Sequence, residues 1–358
     1  MTKKITFLGI ETSCDETAAA VIRENDNGFA DVLSNIVSSQ IAEHKEFGGV
    51  VPELAARAHL ENIEIIIKTA LKKSKLSLDE IDGVAATAGP GLIVCLTVGL
   101  NIGKSIATFS KKPFIGVNHL EGHALSPGLE REISFPYLLL LISGGHSQFL
   151  VVNDLNDYDQ LGTTIDDALG EAFDKTAKML DLGYPGGPNV EKYSKLGDKN
   201  FFKLPLPIIN KAGCNLSFAG LKTAVLKISK EIKDDEKMKY NLAASFQNTI
   251  NKILYKKTMV AIDMFKEKTK GKKVKLVVAG GVAANNSIRE NLKSLSKVMN
   301  FEIIYPASKF CGDNAAMIAW AGIKRFKKNL INDINISAKS RWPLDETAPY
   351  MKGPGLKL

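Results

Sequence analysis

FPYLLLLISGGHSQFLVV, residues 135–152, reads as a strand, a glycine turn and a second strand. The apolar run 137–142 has strand length, Gly144 and Gly145 break it, and 149–152 resumes it. The chain opens in the same way. KITFLGIETSCDETAAAVIR, residues 4–23, is an apolar run, a polar turn and another apolar run. Two segments that begin with the same hairpin imply a structural duplication rather than a sequence repeat of fixed period. Such folds grip a nucleotide between related halves, and their hairpin turns offer backbone N–H groups to phosphates.

The segments that follow each hairpin alternate helix and strand, which is the α/β pattern. In PELAARAHLENIEIIIKTALKKS, residues 52–74, Ile63, Ile66, Ile67, Ala70 and Leu71 form one helical stripe. GVAATAGPG, LTVGLNIGKSIATFS and PFIGV then read as strand, small-residue helix and strand. After the second hairpin come the helix IDDALGEAFDKTAKML, a turn and helix in GYPGGPNVEKYSKLG, and a long helix from Asn241. VKLVVAGGVAANNSIRENLKSL, FEIIYP and GDNAAMIAWAGIKRFKK complete the series. Proline, glycine and charge cluster in SPGLEREISFP, residues 126–136. The expected lobes are therefore residues 1–128, with 326–358 packing back on them, and residues 129–325.

With 358 residues the chain is long enough for two packed lobes. Its four cysteines form no C-x-x-C pair, which argues against a disulfide framework or a structural zinc module. No uninterrupted apolar run reaches the roughly 18 residues of a membrane helix, and a short basic leader turns acidic without a cleavage site. A cytoplasmic protein is expected. The net charge of +8, mostly lysine, suits an anionic partner such as RNA and equally a soluble lysine-rich surface.

VNHLEGHALSP, residues 117–127, holds two of the five histidines four residues apart. On a helix His119 and His123 share a face and can reach one ion. A zinc protease of the H-E-x-x-H type needs its glutamate one residue after the first histidine. Here Glu121 is two residues on, about 200 degrees round the helix, which excludes that reading. A metal site still needs a third ligand. Asp313 in CGDNAAM is a candidate, although its position also suits the N-cap of a helix. Two imidazoles and a carboxylate suit Fe(II) or Zn(II). SGGHS, AGGVAANN and YPGGP place glycine turns at strand ends, where backbone can approach a phosphate. VGLNIGKS is one residue short of a Walker A loop and lies within a helix. Glu11, Asp15 and Glu16 put three acids at the first hairpin turn.

Taken together, GIETSCDET, GGVVPELAARAH, TAGPGL, NHLEGH, LISGGHSQ, GEAFDKTAK, YPGGP, NLSFAGLKT, AGGVAANNSIR, FCGDNAAMIAWAG and SRWPL resemble one family from about Phe7 to Asp345. It is the tRNA N6-adenosine threonylcarbamoyltransferases, in their bacterial and mitochondrial branch, once mislabelled sialoglycoprotein endopeptidases. The resemblance implies an α/β, two-lobed, actin-like fold of the sugar kinase and heat-shock ATPase type. It implies transfer of threonylcarbamoyl from threonylcarbamoyl-AMP to N6 of adenosine 37 in tRNAs reading codons that begin with A. It implies one divalent metal ion, iron or zinc, on His119, His123 and Asp313. Adenylate binding falls on Leu141, Ile142, Ser143, Gly144 and Gly145, with further contacts at Asp174, Gly187 and Asn285, and at Glu191 as in part of the family. Asp15 and Glu16 are the candidates to accept the proton that the attacking amine loses. The implied partners are tRNA, a smaller related subunit and a separate ATPase. The competing class is an actin-like nucleotide-binding switch without transferase chemistry.

Overall fold

The residue pattern of TFLGIE explains the first layer. In the computed structural model, which describes residues 4–349, this stretch is β1 (Thr6–Glu11), buried throughout. It pairs antiparallel with β2 (Glu16–Glu24), which pairs antiparallel with β3 (Ala30–Ser39). On its other side β1 runs parallel to β4 (Gly83–Gly89), and β4 runs parallel to β5 (Phe114–Asn118). The sheet order is β3-β2-β1-β4-β5. A short α1 (Ile41–His44) and the long α2 (Pro52–Ser74) follow β3, α3 (Ile93–Ser110) links β4 to β5, and α4 (His119–Leu125) follows β5 directly.

Alternation along β1 sorts its neighbours. Leu8 and Ile10 enter a core with Ile63, Ile66, Ile67 and Ala70 of α2 and Val98, Leu100 and Ala107 of α3. Leu71, the fifth member of the expected stripe, is only partly buried against that core. Sequence reading found no membrane-length apolar run. Helix α3, although Thr, Gly, Asn, Lys and Ser interrupt it, is apolar and long enough to cross a membrane by length and composition. Its buried residues pack into the core of this unit.

The second unit, Phe135–Tyr305, repeats the plan. β6 (Tyr137–Ile142) pairs antiparallel with β7 (Ser147–Asp154), and β7 with β8 (Asp157–Thr163). On the other side β6 runs parallel to β9 (Lys275–Ala279), and β9 to β10 (Glu302–Ile304). The order β8-β7-β6-β9-β10 matches the first sheet strand for strand. The helices are α5 (Leu169–Met179), α6 (Gly186–Ser194), α7 (Ala219–Ile232), the 33-residue α8 (Glu236–Lys268) and α9 (Asn286–Met299). Every residue of β6 is buried, as expected of a central strand covered on both faces.

The chain returns to the first unit at Pro306 and stays there to Glu346. The expected return at 326 is therefore 20 residues late, and residues 350–358 of that expected segment lie outside the described residues. The cause is α10 (Ala315–Lys327), an apolar helix that packs on β1, β2 and β4. It covers the β1 face opposite α2 and α3. Phe7 meets Phe326 there at 5.5 Å between ring centres, and a Cβ on Gly9 would lie 2.7 Å from the Ala319 nitrogen.

Candidate active site

Parallel strands β1, β4 and β5 bring their C-terminal ends to one edge of the first sheet, where functional groups of open α/β sheets gather. Glu11 ends β1, Thr87 lies near the end of β4, and His119 begins α4 at the end of β5. Asn118 caps α4: its Oδ1 accepts from Leu120 N at 2.9 Å, and its Nδ2 donates to the Trp342 carbonyl at 3.0 Å. The imidazoles of His119 and His123, one helical turn apart, meet edge to face at 4.7 Å.

Asp313 joins them from the return segment. Its Oδ1 is 3.0 Å from His123 Nε2 and 3.4 Å from His119 Nε2. One ligand atom from each of the three lies within 4.8 Å of the other two, so the group could hold a metal ion. The N-cap role considered for Asp313 belongs to its neighbour. Asn314 Oδ1 accepts from Met317 N at 3.0 Å, which leaves the aspartate free to face the histidines.

The carboxylate behind His119 is Glu11. Its Oε2 is 3.0 Å from His119 Nδ1, with Ser13 Oγ 3.2 Å from the same nitrogen. Ser13 N and Thr87 Oγ1 donate to Glu11, which is fully buried. A carboxylate on one ring nitrogen fixes the imidazole and leaves the other nitrogen for a ligand. Sequence reading placed Glu11 only among turn acids. Its signal was a carboxylate closing an otherwise apolar core strand, which is costly unless paired.

The electrostatics favour a cation. Burial alone would lower the His119 pKa, yet the charges of Asp313 and Glu11 raise it well above the ordinary imidazole value. Burial would raise Asp313 and Glu11, yet His119 holds both below the ordinary carboxylate range. Two imidazole nitrogens, one carboxylate oxygen and an orienting carboxylate fit a small divalent ion with positions left open.

Glu121, by contrast, sends Oε2 to Arg325 Nη1 at 2.8 Å. Asp15 lies half-buried in the β1–β2 turn, and Glu16, also half-buried, opens β2. Burial first, then the charges of Asp313 and Asp15, raise the Glu16 carboxyl well above its usual value. The turn is pinned by His59, whose Nε2 is 3.0 Å from the Cys14 carbonyl and whose Nδ1 is 2.8 Å from Thr17 Oγ1.

The remaining candidates collect in the second unit, at the C-terminal ends of β6 and β9. Leu141 and Ile142 are fully buried strand residues, so of this stretch only the turn Ser143–Gly145 opens outward. Ser143 N donates to the His146 carbonyl at 2.8 Å, and the Ser143 carbonyl accepts from Gly170 N at 3.1 Å at the start of α5. Asp174 Oδ1 accepts from Gly186 N at 2.8 Å, which brings Gly187 and the start of α6 alongside. Glu191 Oε1 accepts from Asn286 N at 3.0 Å. Asn285 caps α9 through Ile288 N at 3.0 Å and donates to Gln247 Oε1 at 2.9 Å.

Known proteins resemble the chain in sequence and in fold. Residues 31–320 match the family model described as tRNA N6-adenosine threonylcarbamoyltransferase. A protein of that name from Pelagibacter ubique is 60% identical over 358 residues, covering 100% of both chains. One from Rickettsia bellii is 51% identical over 345 residues, covering 96% of this chain and 99% of the relative. Among solved structures, HypF from T. kodakarensis aligns with a TM-score of 0.59 at 14% identity, covering 91% of this chain and 48% of that one. Full-length HypF in its phosphate- and nucleotide-bound form gives 0.56 at 14%, covering 92% and 47%. The chain thus spans about half the length of the HypF chains, and at that identity the likeness speaks to the fold alone, the actin-like α/β class with two related sheets. Sequence identity over the whole length carries more. The chain belongs to the tRNA N6-adenosine threonylcarbamoyltransferase family.

Proposed function

We propose that the chain transfers the threonylcarbamoyl group of threonylcarbamoyl-AMP to N6 of adenosine 37 in tRNAs that read codons beginning with A. The observation that carries this reading is the convergence of His119, His123 and Asp313 in a chain 60% identical throughout to a protein of that name. His119 Nε2, His123 Nε2 and Asp313 Oδ1 would hold the ion, Fe(II) or Zn(II). When bound, the ion supplies Lewis-acid polarisation of a carbonyl or phosphate oxygen.

The chain's own groups do the rest. Backbone N–H groups of Gly144 and Gly145 cradle the phosphate, as exposed glycine turns do, while the Ser143 N–H holds the turn closed on the His146 carbonyl. Asp174, Glu191 and Asn285 bind ribose hydroxyls or the adenine edge as hydrogen-bonding carboxylates and amide, and Gly187 leaves room beside them. The N6 amine attacks the carbamoyl carbon, the bond from that carbon to the phosphate oxygen breaks, and AMP leaves. Asp15 or Glu16 takes the amine proton. Asp15→Asn or Glu16→Gln is expected to cut turnover about a hundredfold while leaving ion affinity unchanged. Normal AMP release and tRNA modification in both variants would remove them from the mechanism.

A recess of about 260 Å³ in the second unit offers phosphate contacts for the tRNA. Lys199, Lys203 and Lys252 line it with Asn200, Asn248 and Phe202, and no carboxylate is among its lining residues. Exchanging the three lysines for glutamates is expected to weaken tRNA binding at least about tenfold and to reduce the slope of log K against log salt by about two. Titrations at two salt concentrations test it, and an unchanged slope places the phosphates elsewhere. A cytoplasmic enzyme that works with a smaller related subunit and a separate ATPase completes the reading.

A further inference from the structure

We propose that the buried Glu121–Arg325 ion pair sets the position of His119 and His123 against Asp313, which makes Glu121 a positioning residue for the metal centre. The proposal rests on the reading that these three residues hold a divalent ion.

Of the two helices concerned, α4 is only seven residues long and holds both histidines, while α10 begins two residues after Asp313. They touch closely: a Cβ on Gly122 would lie 2.9 Å from Ile318 Cδ1 and 3.2 Å from Met317 Cγ. Contacts of that kind exclude water but are not directional, so they leave a short helix able to rotate or slide. The Glu121–Arg325 bond, at 2.8 Å, is directional. Glu121 lies about 200 degrees round α4 from His119 and about 160 degrees from His123. α4 is therefore tied on opposite sides, by its imidazoles to Glu11 and Asp313, and by its glutamate to Arg325.

Stability alone does not explain the pair. Both side chains are buried, at 1% and 9% exposure, and desolvating two charges offsets most of their attraction. Arg325 Nε is also buried with no hydrogen-bond partner among the described residues. An apolar pair of equal volume would pack as well at lower cost. What the ion pair adds is a single rotation of α4, and sites of this kind tolerate only about 10–20 degrees of error.

The test uses the full chain and Zn(II) alone as probe, with affinity read by competition against a chromophoric chelator. Co(II) absorption reads the coordination geometry. In Glu121→Met/Arg325→Met both charges are gone, so the fold is expected to survive with little change in melting temperature. Zn(II) affinity is expected to fall about ten- to a hundredfold, as when a group that orients a ligand is lost, and the Co(II) spectrum should change. Glu121→Asp, which keeps the charge, should retain part of the affinity. Wild-type affinity and an unaltered spectrum in the folded double variant would overturn the proposal. Should that variant fail to fold, Glu121→Gln/Arg325→Met decides, since it keeps the shape of Glu121 and removes both charges, and wild-type Zn(II) affinity there overturns it equally. A wild-type chain that binds no ion would instead bring down the metal reading on which the proposal stands.

Discussion

Replacing Asp313 with alanine is expected to lower threonylcarbamoyl transfer at least about a hundredfold, with the loss tracking ion affinity rather than folding. The aspartate is the shared neighbour of both imidazoles, at 3.0 and 3.4 Å, and the only group of the three that carries a negative charge. Removing it leaves only two neutral imidazole nitrogens to hold a dication and takes away one of the two carboxylates beside His119. Orienting groups around metal sites already cost ten- to a hundredfold when lost, so a direct ligand should cost no less. Helix α10 should survive, because its cap is Asn314. Ion binding therefore separates the two effects. Zn(II) at a hundred times its dissociation constant should stabilise the wild-type chain by about 2.7 kcal/mol, a rise of roughly 5–10 °C for a unit of this size. The variant should show no rise. Wild-type turnover together with a full Zn(II)-induced rise in Asp313→Ala would mean that the ion, if bound, sits elsewhere.

Asp313 also shows where sequence reading stops. Aspartate and asparagine are adjacent in CGDNAAM, and either type makes a good cap, so local chemistry could not tell which one faced inward. Glu11 was harder still. Its partner His119 lies 108 residues away, and nothing local marks such a pairing. The two hairpins were legible because apolar runs broken by polar or glycine turns are written in one continuous stretch. The third strand of each hairpin layer was not. β3 reads ADVLSNIVSS with only two buried residues, Ala30 and Ser34, and β8 reads DYDQLGT. Both are antiparallel edge strands with little apolar alternation to announce them. The membership of α10 was misplaced for a related reason. Its apolar character is plain, but which sheet it covers depends on the chain crossing back after Tyr305, and no residue in the helix itself records that. Where each lone motif left the family open, the set of eleven in fixed order pointed to one.

Glycine substitutions should separate the architecture of the proposed phosphate turn from its chemistry. Gly280 follows β9 at a φ of +94 degrees, and a Cβ there would strike the Ile142 carbonyl and approach Ser143 Cβ to 3.3 Å. Gly280→Ala combines a left-handed backbone, costing about 1–2 kcal/mol, with overpacking of about 1–3 kcal/mol. A loss of roughly 2–5 kcal/mol in the stability of the second unit is expected, seen as a lower denaturant midpoint. Because the displaced atoms belong to Ile142 and Ser143, binding of threonylcarbamoyl-AMP should weaken at least tenfold in the protein that still folds. Gly144 provides the contrast. A Cβ there meets nothing within 4 Å, and the backbone is not left-handed. Gly144→Ala should therefore keep wild-type stability, yet its methyl group projects into the space where a phosphate would approach the turn. Tenfold weaker binding at unchanged stability is the expected signature of a backbone cradle. If Gly144→Ala binds the adenylate as the wild-type chain does, the phosphate does not sit on this turn, and the loss in Gly280→Ala would reduce to strain in the scaffold.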